Sequence, residues 1–352
     1  MKKRLRDYGI IIGKGTPGPR NKITDVEGVT VGHSTVDTER SKTGVTVIMP
    51  CRDNPFARKL TAAVCVQNGY GKSQGLVQIE ELGSLETPIA LTNTLNVGLV
   101  HDSIVEYMLK VGEKEHISIT SVNPVVGECN DSVLNDISLR AVGKGEVMAA
   151  VRSASQDFEE GDVGAGKGTV CFGLKGGIGS ASRVVSLGGR DYTVGALVQS
   201  NFGSTENLVI GHRPVGMELT DIEPAAVDRG SIMMILATDL PVTDRQLKRM
   251  CRRAPVGLVR CGSFLGHGSG DIVIGFTTAN RVETEKEPPV YSMEVLKEEL
   301  LDQVFPMVAE SVEEAVLNSL AAASTVTGYD GTTKYSLTDV YLSRLPEQGT
   351  KA

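Results

Sequence analysis

Apolar residues in the first third of the chain come in short β-branched runs separated by glycine turns: Val29 to Val31, Gly44 to Ile48 and Ala62 to Val66. Such runs suit a pleated, half-buried surface and predict strands. The period then lengthens. Between Asn96 and Lys110, Leu99, Ile104, Met108 and Leu109 fall near one helical face, with Asn93 or Asn96 available as a cap. A second helix is expected over Val133 to Val142, ending at Gly143, and a short one at Leu76 to Leu82. Farther on, Ser231 to Thr238 is a compact apolar run that predicts a buried strand, Asp244 to Arg253 a basic helix, and Asp271 to Thr277 another strand. The longest helical pattern runs from Glu294 to Ala323, where Pro306 should end or kink it. The charged stretch 282–288 is the best candidate for an exposed loop. Strands and helices mix throughout with no compositional break, so one α/β domain spanning 1–352 is expected.

Composition narrows the class. The chain has 352 residues, of which 40 are Gly and none Trp; 40% are hydrophobic and 22% charged, enough apolar material for a sizeable core. Glycine without a three-residue period excludes collagen and disfavours long coiled coils. A net charge of -7 argues against a nucleic-acid backbone as partner. No apolar stretch approaches the ~18 residues of a membrane span, and the one after the basic start is too short for a signal-peptide core of ~7 to 15. The cysteines at 51, 65, 129, 171, 251 and 261 form no CxxC pair. Free thiols in a reducing cytoplasm are expected over a disulfide scaffold, and a zinc site has little support.

Three motifs tempt a reading and then lose it. Gly71-Lys72-Ser73-Gln74-Gly75 matches the GxSxG nucleophile elbow, but no histidine carries a distinctive flank, and a glycine-rich turn is the simpler account. Gly161 to Lys167 has phosphate-loop spacing with Gly168 where Ser or Thr must reach magnesium. Gly71-Lys72-Ser73 has the right ending, with Val66 in place of the first Gly.

The stronger signal is Gly230-Ser231 at the mouth of an apolar strand. A serine after an uncrowded glycine can attack the carbonyl of residue 230 and be released by water as a new N-terminus, whose α-amine can serve as base for its own hydroxyl. Ser269 and Asp271 lie two apart, on one face if a strand begins there. Asn201 closes an apolar strand, where its amide could donate to an oxyanion.

These residues carry a resemblance. DRGSIMMILATDLPVTDRQLKRMCRRAPVGLVR, GHGSGDIVIGFTTAN, TDVEGVTVGHST, LETPIALTNTLNVG, VVGECND and GAGKGTVCFGLKGGIGSASR together resemble the DmpA-type L-aminopeptidase/D-esterase and β-peptidyl aminopeptidase family, over nearly the whole chain and in family order. The resemblance implies a four-layer αββα sandwich like that of N-terminal-nucleophile hydrolases, self-cleaved into 1–230 and 231–352. It implies Ser231 as nucleophile, Ser269 and Asp271 as its partners, Asn201 as oxyanion donor and Glu128 as the group that binds the substrate's free amino group. It further implies no cofactor and no metal, peptides or amino-acid amides and esters as substrates, and a homo-oligomer, a tetramer of the processed unit. Asp271 stands where members carry Glu, Lys72 where an acidic residue is common, and Val133 where an aromatic is expected. The rival readings are a non-catalytic ligand-binding protein on this scaffold and an acyltransferase of the ornithine acetyltransferase kind, whose nucleophile would be Thr.

Overall fold

A computed structural model describes residues 2–220, 222, 230–284 and 290–345. In chain order the elements are β1 (Thr30–Asp37), β2 (Lys42–Met49), β3 (Arg58–Gly69), α1 (Leu76–Leu82), β4 (Ser84–Leu85), β5 (Ile89–Asn93), α2 (Val97–Glu115), β6 (Val125–Cys129) and α3 (Lys144–Ser153). There follow β7 (Val170–Cys171), β8 (Leu174–Lys175), β9 (Gly177–Leu187), β10 (Arg190–Asn201), β11 (Ser231–Thr238), α4 (Asp244–Cys251), α5 (Ala254–Arg260), β12 (Gly270–Glu283) and α6 (Leu301–Ala321).

Two sheets stack face to face. One runs β1-β2-β5-β6, and the other β4-β3-β12-β11-β10-β9; β5/β6 and β11/β12 are the parallel pairs. Along β11 the side chains divide by parity. Met233, Ile235 and Ala237 point between the sheets, where Ile48, Leu91, Val64 and Ile274 also lie. Ile232, Met234 and Leu236 point the other way, onto a layer that includes Leu247 of α4, Leu258 of α5 and Val312 of α6. Burial on both faces is why this strand is apolar without alternation. On the far side, α2 and α3 bring Val100, Ile104, Met108 and Val147 against Val45, Val47 and Val126 of the smaller sheet. The layers are therefore α, β, β, α, as expected.

Three local expectations need correction. No helix covers 133–142: one 3-10 turn forms at Ile137–Leu139, and the helix begins after Gly143, whose N–H is capped by Glu146 Oε2 at 2.9 Å. The sequence Val133 to Val142 loses its helix because Asn135 bonds elsewhere, accepting from Lys42 N–H and donating to buried Asp131. Pro306 does not end α6. It sits on the exposed side near the N-terminal end, five residues after Leu301, where the missing N–H is least costly because Asp302, whose carbonyl it would have bonded, is exposed. Finally, Val282 and Glu283 belong to β12 rather than a loop, and 285–288 lie outside the described residues.

Candidate active site

The centre of the larger sheet brings together residues far apart in sequence. Antiparallel pairing of β10 with β11 sets Asn201 opposite Ser231, and parallel pairing of β11 with β12 sets Gly270 beside Ser231. Since Ser269 and Asp271 flank Gly270, sheet register alone gathers four of the predicted residues at one strand end. All are buried.

The Ser231 hydroxyl lies against the peptide linkage that precedes it. Ser231 Oγ donates to the Gly230 carbonyl oxygen at 2.7 Å, and the Gly270 N–H is directed at both oxygens, 3.3 Å from each. A hydroxyl within hydrogen-bonding reach of its own preceding carbonyl, with a backbone donor on that carbonyl, is the arrangement in which an oxyanion there would be stabilised. Gly230 is required for a tighter reason than the absence of crowding. A methyl group on it would come within 2.4 Å of Phe202 Cα and 2.5 Å of the Asn201 carbonyl oxygen, so any side chain would push the strands apart.

Ser269 Oγ donates to Asp271 Oδ1 at 2.6 Å, as strand parity predicts. Asn201 Oδ1 accepts from the Val170 N–H at 3.0 Å. An N–H must meet the amide oxygen, so the orientation of Asn201 is settled and its Nδ2 is the end left to donate. Glu128, on β6 of the smaller sheet, is 2% exposed. Its Oε1 accepts from the Lys72 N–H at 2.8 Å, and its Oε2 accepts from the Thr94 hydroxyl. A methyl group at Gly71 would stand 3.6 Å from Glu128 Oε1 and 3.7 Å from Gly270 Cα, so one glycine separates this carboxylate from the Ser231–Gly270 pair. Lys72 contributes its backbone here, while its ammonium folds over the Tyr70 ring, 4.5 Å from the centroid.

Nearby groups rule out other nucleophiles. Cys129 Sγ lies 3.5 Å from the Ser231 carbonyl, but burial, then the adjacent Glu128 charge, push its thiol well above the usual range. Ser73 Oγ faces Met233 Sδ at 3.6 Å, a thioether that cannot serve as its base, so the GxSxG match gains no catalytic support. Lys167 is committed to Asp37 and Asp162, at 2.8 and 3.3 Å, and has no vacancy for a phosphate. Among the described residues no cluster of three His, Cys, Asp or Glu side chains could hold a metal ion. Likewise, no helix among them is long and apolar enough to cross a membrane.

The family model described as peptidase family S58 matches residues 21–334. The chain belongs to peptidase family S58. Within the family's reach, it is 37% identical to the β-peptidyl aminopeptidase BapA of Sphingosinicella microcystinivorans over 99% of this chain and 91% of that one. The structure of the PH0078 protein from Pyrococcus horikoshii OT3 superposes with a TM-score of 0.91 at 47% identity, covering 97% of this chain and 98% of the other. The L-aminopeptidase D-Ala-esterase/amidase of Ochrobactrum anthropi, described as a prototype of the serine aminopeptidases with a variant of the Ntn hydrolase fold, superposes with a TM-score of 0.90 at 36% identity over 98% of this chain and 100% of that one. The expectations of this family, of its fold and of a hydrolase of the serine-aminopeptidase type are borne out.

Sequence reasoning missed the supports: the N–H groups of Lys72, Val170 and Gly270, and the hydroxyl of Thr94. Thr94 and Val170 lie in stretches already recognised as family motifs, but a backbone N–H carries no residue-type signature.

Proposed function

We propose that this chain cuts itself between Gly230 and Ser231 and then acts as an aminopeptidase through the freed Ser231. The observation that carries this reading is the Ser231 hydroxyl 2.7 Å from the Gly230 carbonyl oxygen, with the Gly270 N–H on that same oxygen. In the first stage Oγ bonds to the Gly230 carbonyl carbon, the peptide C–N bond breaks, and the hydroxyl proton ends on the departing nitrogen. Water then hydrolyses the ester, leaving a carboxylate at Gly230 and an α-amine on Ser231.

In the second stage that α-amine takes the proton from its own hydroxyl, directly or through water, supported by the Ser269–Asp271 pair. Oγ attacks the first carbonyl of the substrate, whose oxyanion meets Asn201 Nδ2 and backbone N–H groups. The leaving amine takes up the proton, and water hydrolyses the acyl-enzyme. Glu128 receives the substrate's ammonium, since a buried carboxylate selects an unblocked N-terminus. The substrates proposed are peptides, amides or esters of L-, D- or β-residues, in keeping with the activities named for BapA and the Ochrobactrum enzyme. The processed unit is proposed to work as a homo-oligomer in the cytoplasm.

Intact mass spectrometry tests the first stage. Two fragments are expected, Met1 to Gly230 and Ser231 to Ala352, and Ser231→Ala should remain one chain. Cleavage at another bond, or an uncut chain that hydrolyses amino-acid amides, would overturn the assignment.

A further inference from the structure

Lys175 is a lysine with no solvent and no ion pair among the described residues. It is fully buried, and its Nζ donates to three backbone carbonyls, those of Gly166 and Thr169 at 2.8 Å and Gly176 at 2.7 Å. The carboxylate that acts on it from a distance, Asp162, is itself paired with Lys2 and Lys167. Burying a cation on carbonyls alone is expensive and brings its pKa down to about 7, yet three carbonyl acceptors call for the three N–H donors of the ammonium, one more than a neutral amine supplies.

What the ammonium grips is informative. Val170 pairs with Lys175 in the β7/β8 hairpin, whose two turn residues, Phe172 and Gly173, both have positive φ. Lys175 Nζ binds the carbonyls of Thr169 and Gly176, the residues that flank the two arms of this hairpin. One of them, the Thr169 carbonyl, belongs to the same peptide group as the Val170 N–H, and that N–H holds Asn201 Oδ1 at 3.0 Å. A cation on one end of a peptide group increases the positive character of the N–H at its other end, and the effect passes on through the Asn201 amide to its Nδ2–H.

We propose that Lys175 is a positioning residue for the oxyanion site: through a single peptide group its ammonium orients and polarises the Asn201 side chain. This rests on the reading of Asn201 as oxyanion donor, and the test separates the two.

Asn201→Ala, Lys175→Met and the double variant are compared with the parent on p-nitroanilides of L-alanine, D-alanine and β-homoalanine. Asn201→Ala should lower kcat by about 10²- to 10³-fold, the effect of removing one oxyanion donor. Lys175→Met should lower kcat at least about tenfold with KM within about threefold, yet change it less than about twofold when Asn201 is already Ala. A full additional loss in the double variant, or a loss confined to KM, overturns the role of Lys175. An unchanged kcat for Asn201→Ala instead overturns the oxyanion reading. Should Lys175→Met not fold, hydrogen exchange of the parent protein decides: peptides covering 166–176 should be protected as strongly as those of β10, and rapid exchange there would overturn the proposal.

Discussion

At the scale of single residues, the site depends less on which side chains are present than on what holds each of them. Glu128 is held in a buried position by the Lys72 N–H and the Thr94 hydroxyl, which satisfy one oxygen each. Its remaining lone pairs suit an incoming ammonium. Glu128→Gln keeps the shape and removes the charge, so kcat/KM for substrates with a free amine should fall about 100-fold, mostly through KM, the scale expected when one partner of a buried charge pair is lost. Steady-state kinetics on an amino-acid p-nitroanilide measures this; an unchanged KM would remove Glu128 from substrate binding. The candidate nucleophile, its proposed partners and this carboxylate could be picked out in the sequence because each is a reactive side chain in a recognisable motif. Their supports were not, since an amide N–H is present at nearly every position and only folding selects which one is used.

Among the elements, hydrophobic pattern worked where one packing face or a fully buried strand dictates composition, and failed where polar side chains had other partners. β11, α2 and α4 formed near their expected places. Val133 to Val142 did not, because Asn135 and Asp131 hold a loop together and Gly143 starts the next helix instead of ending one. The start of α4 is fixed by a capping box: Thr243 Oγ1 accepts from the Gln246 N–H, while Gln246 Oε1 accepts from the Thr243 N–H, both at 3.2 Å. Thr243→Ala should cost about 1 kcal/mol in equilibrium denaturation, with kinetics unchanged because α4 lies on the helical layer away from Ser231. A loss of activity without a loss of stability would show that this helix does more than cover the sheet.

For the whole molecule, the proposed cleavage falls in the middle of a sheet and not between domains. Strands β11 and β12, from the downstream piece, lie between β3 and β10 of the upstream piece. A second tie is ionic. Arg183 of β9 is fully buried, with Nε 3.1 Å from Glu310 Oε2 and Nη2 2.7 Å from Glu314 Oε2 on α6. Replacing one partner of such a network leaves buried charge uncompensated. Arg183→Met should therefore destabilise the protein by about 3 to 5 kcal/mol in denaturant titrations, while the parent's two fragments should co-elute on gel filtration. Separation of the parent fragments under native conditions would contradict this interleaving.

By itself, the sequence determined the family and the strand at Ser231 and pointed to the candidate reactive side chains, because apolar runs, a glycine before a serine and motif order are properties of consecutive residues. Only the tertiary structure decided that Asn201, Gly230 and Gly270 converge on Ser231, and that Lys175 lies behind them. Those relations are set by sheet register and by hydrogen bonds between segments distant in sequence, and the geometry that makes a hydroxyl reactive exists only once the strands have paired.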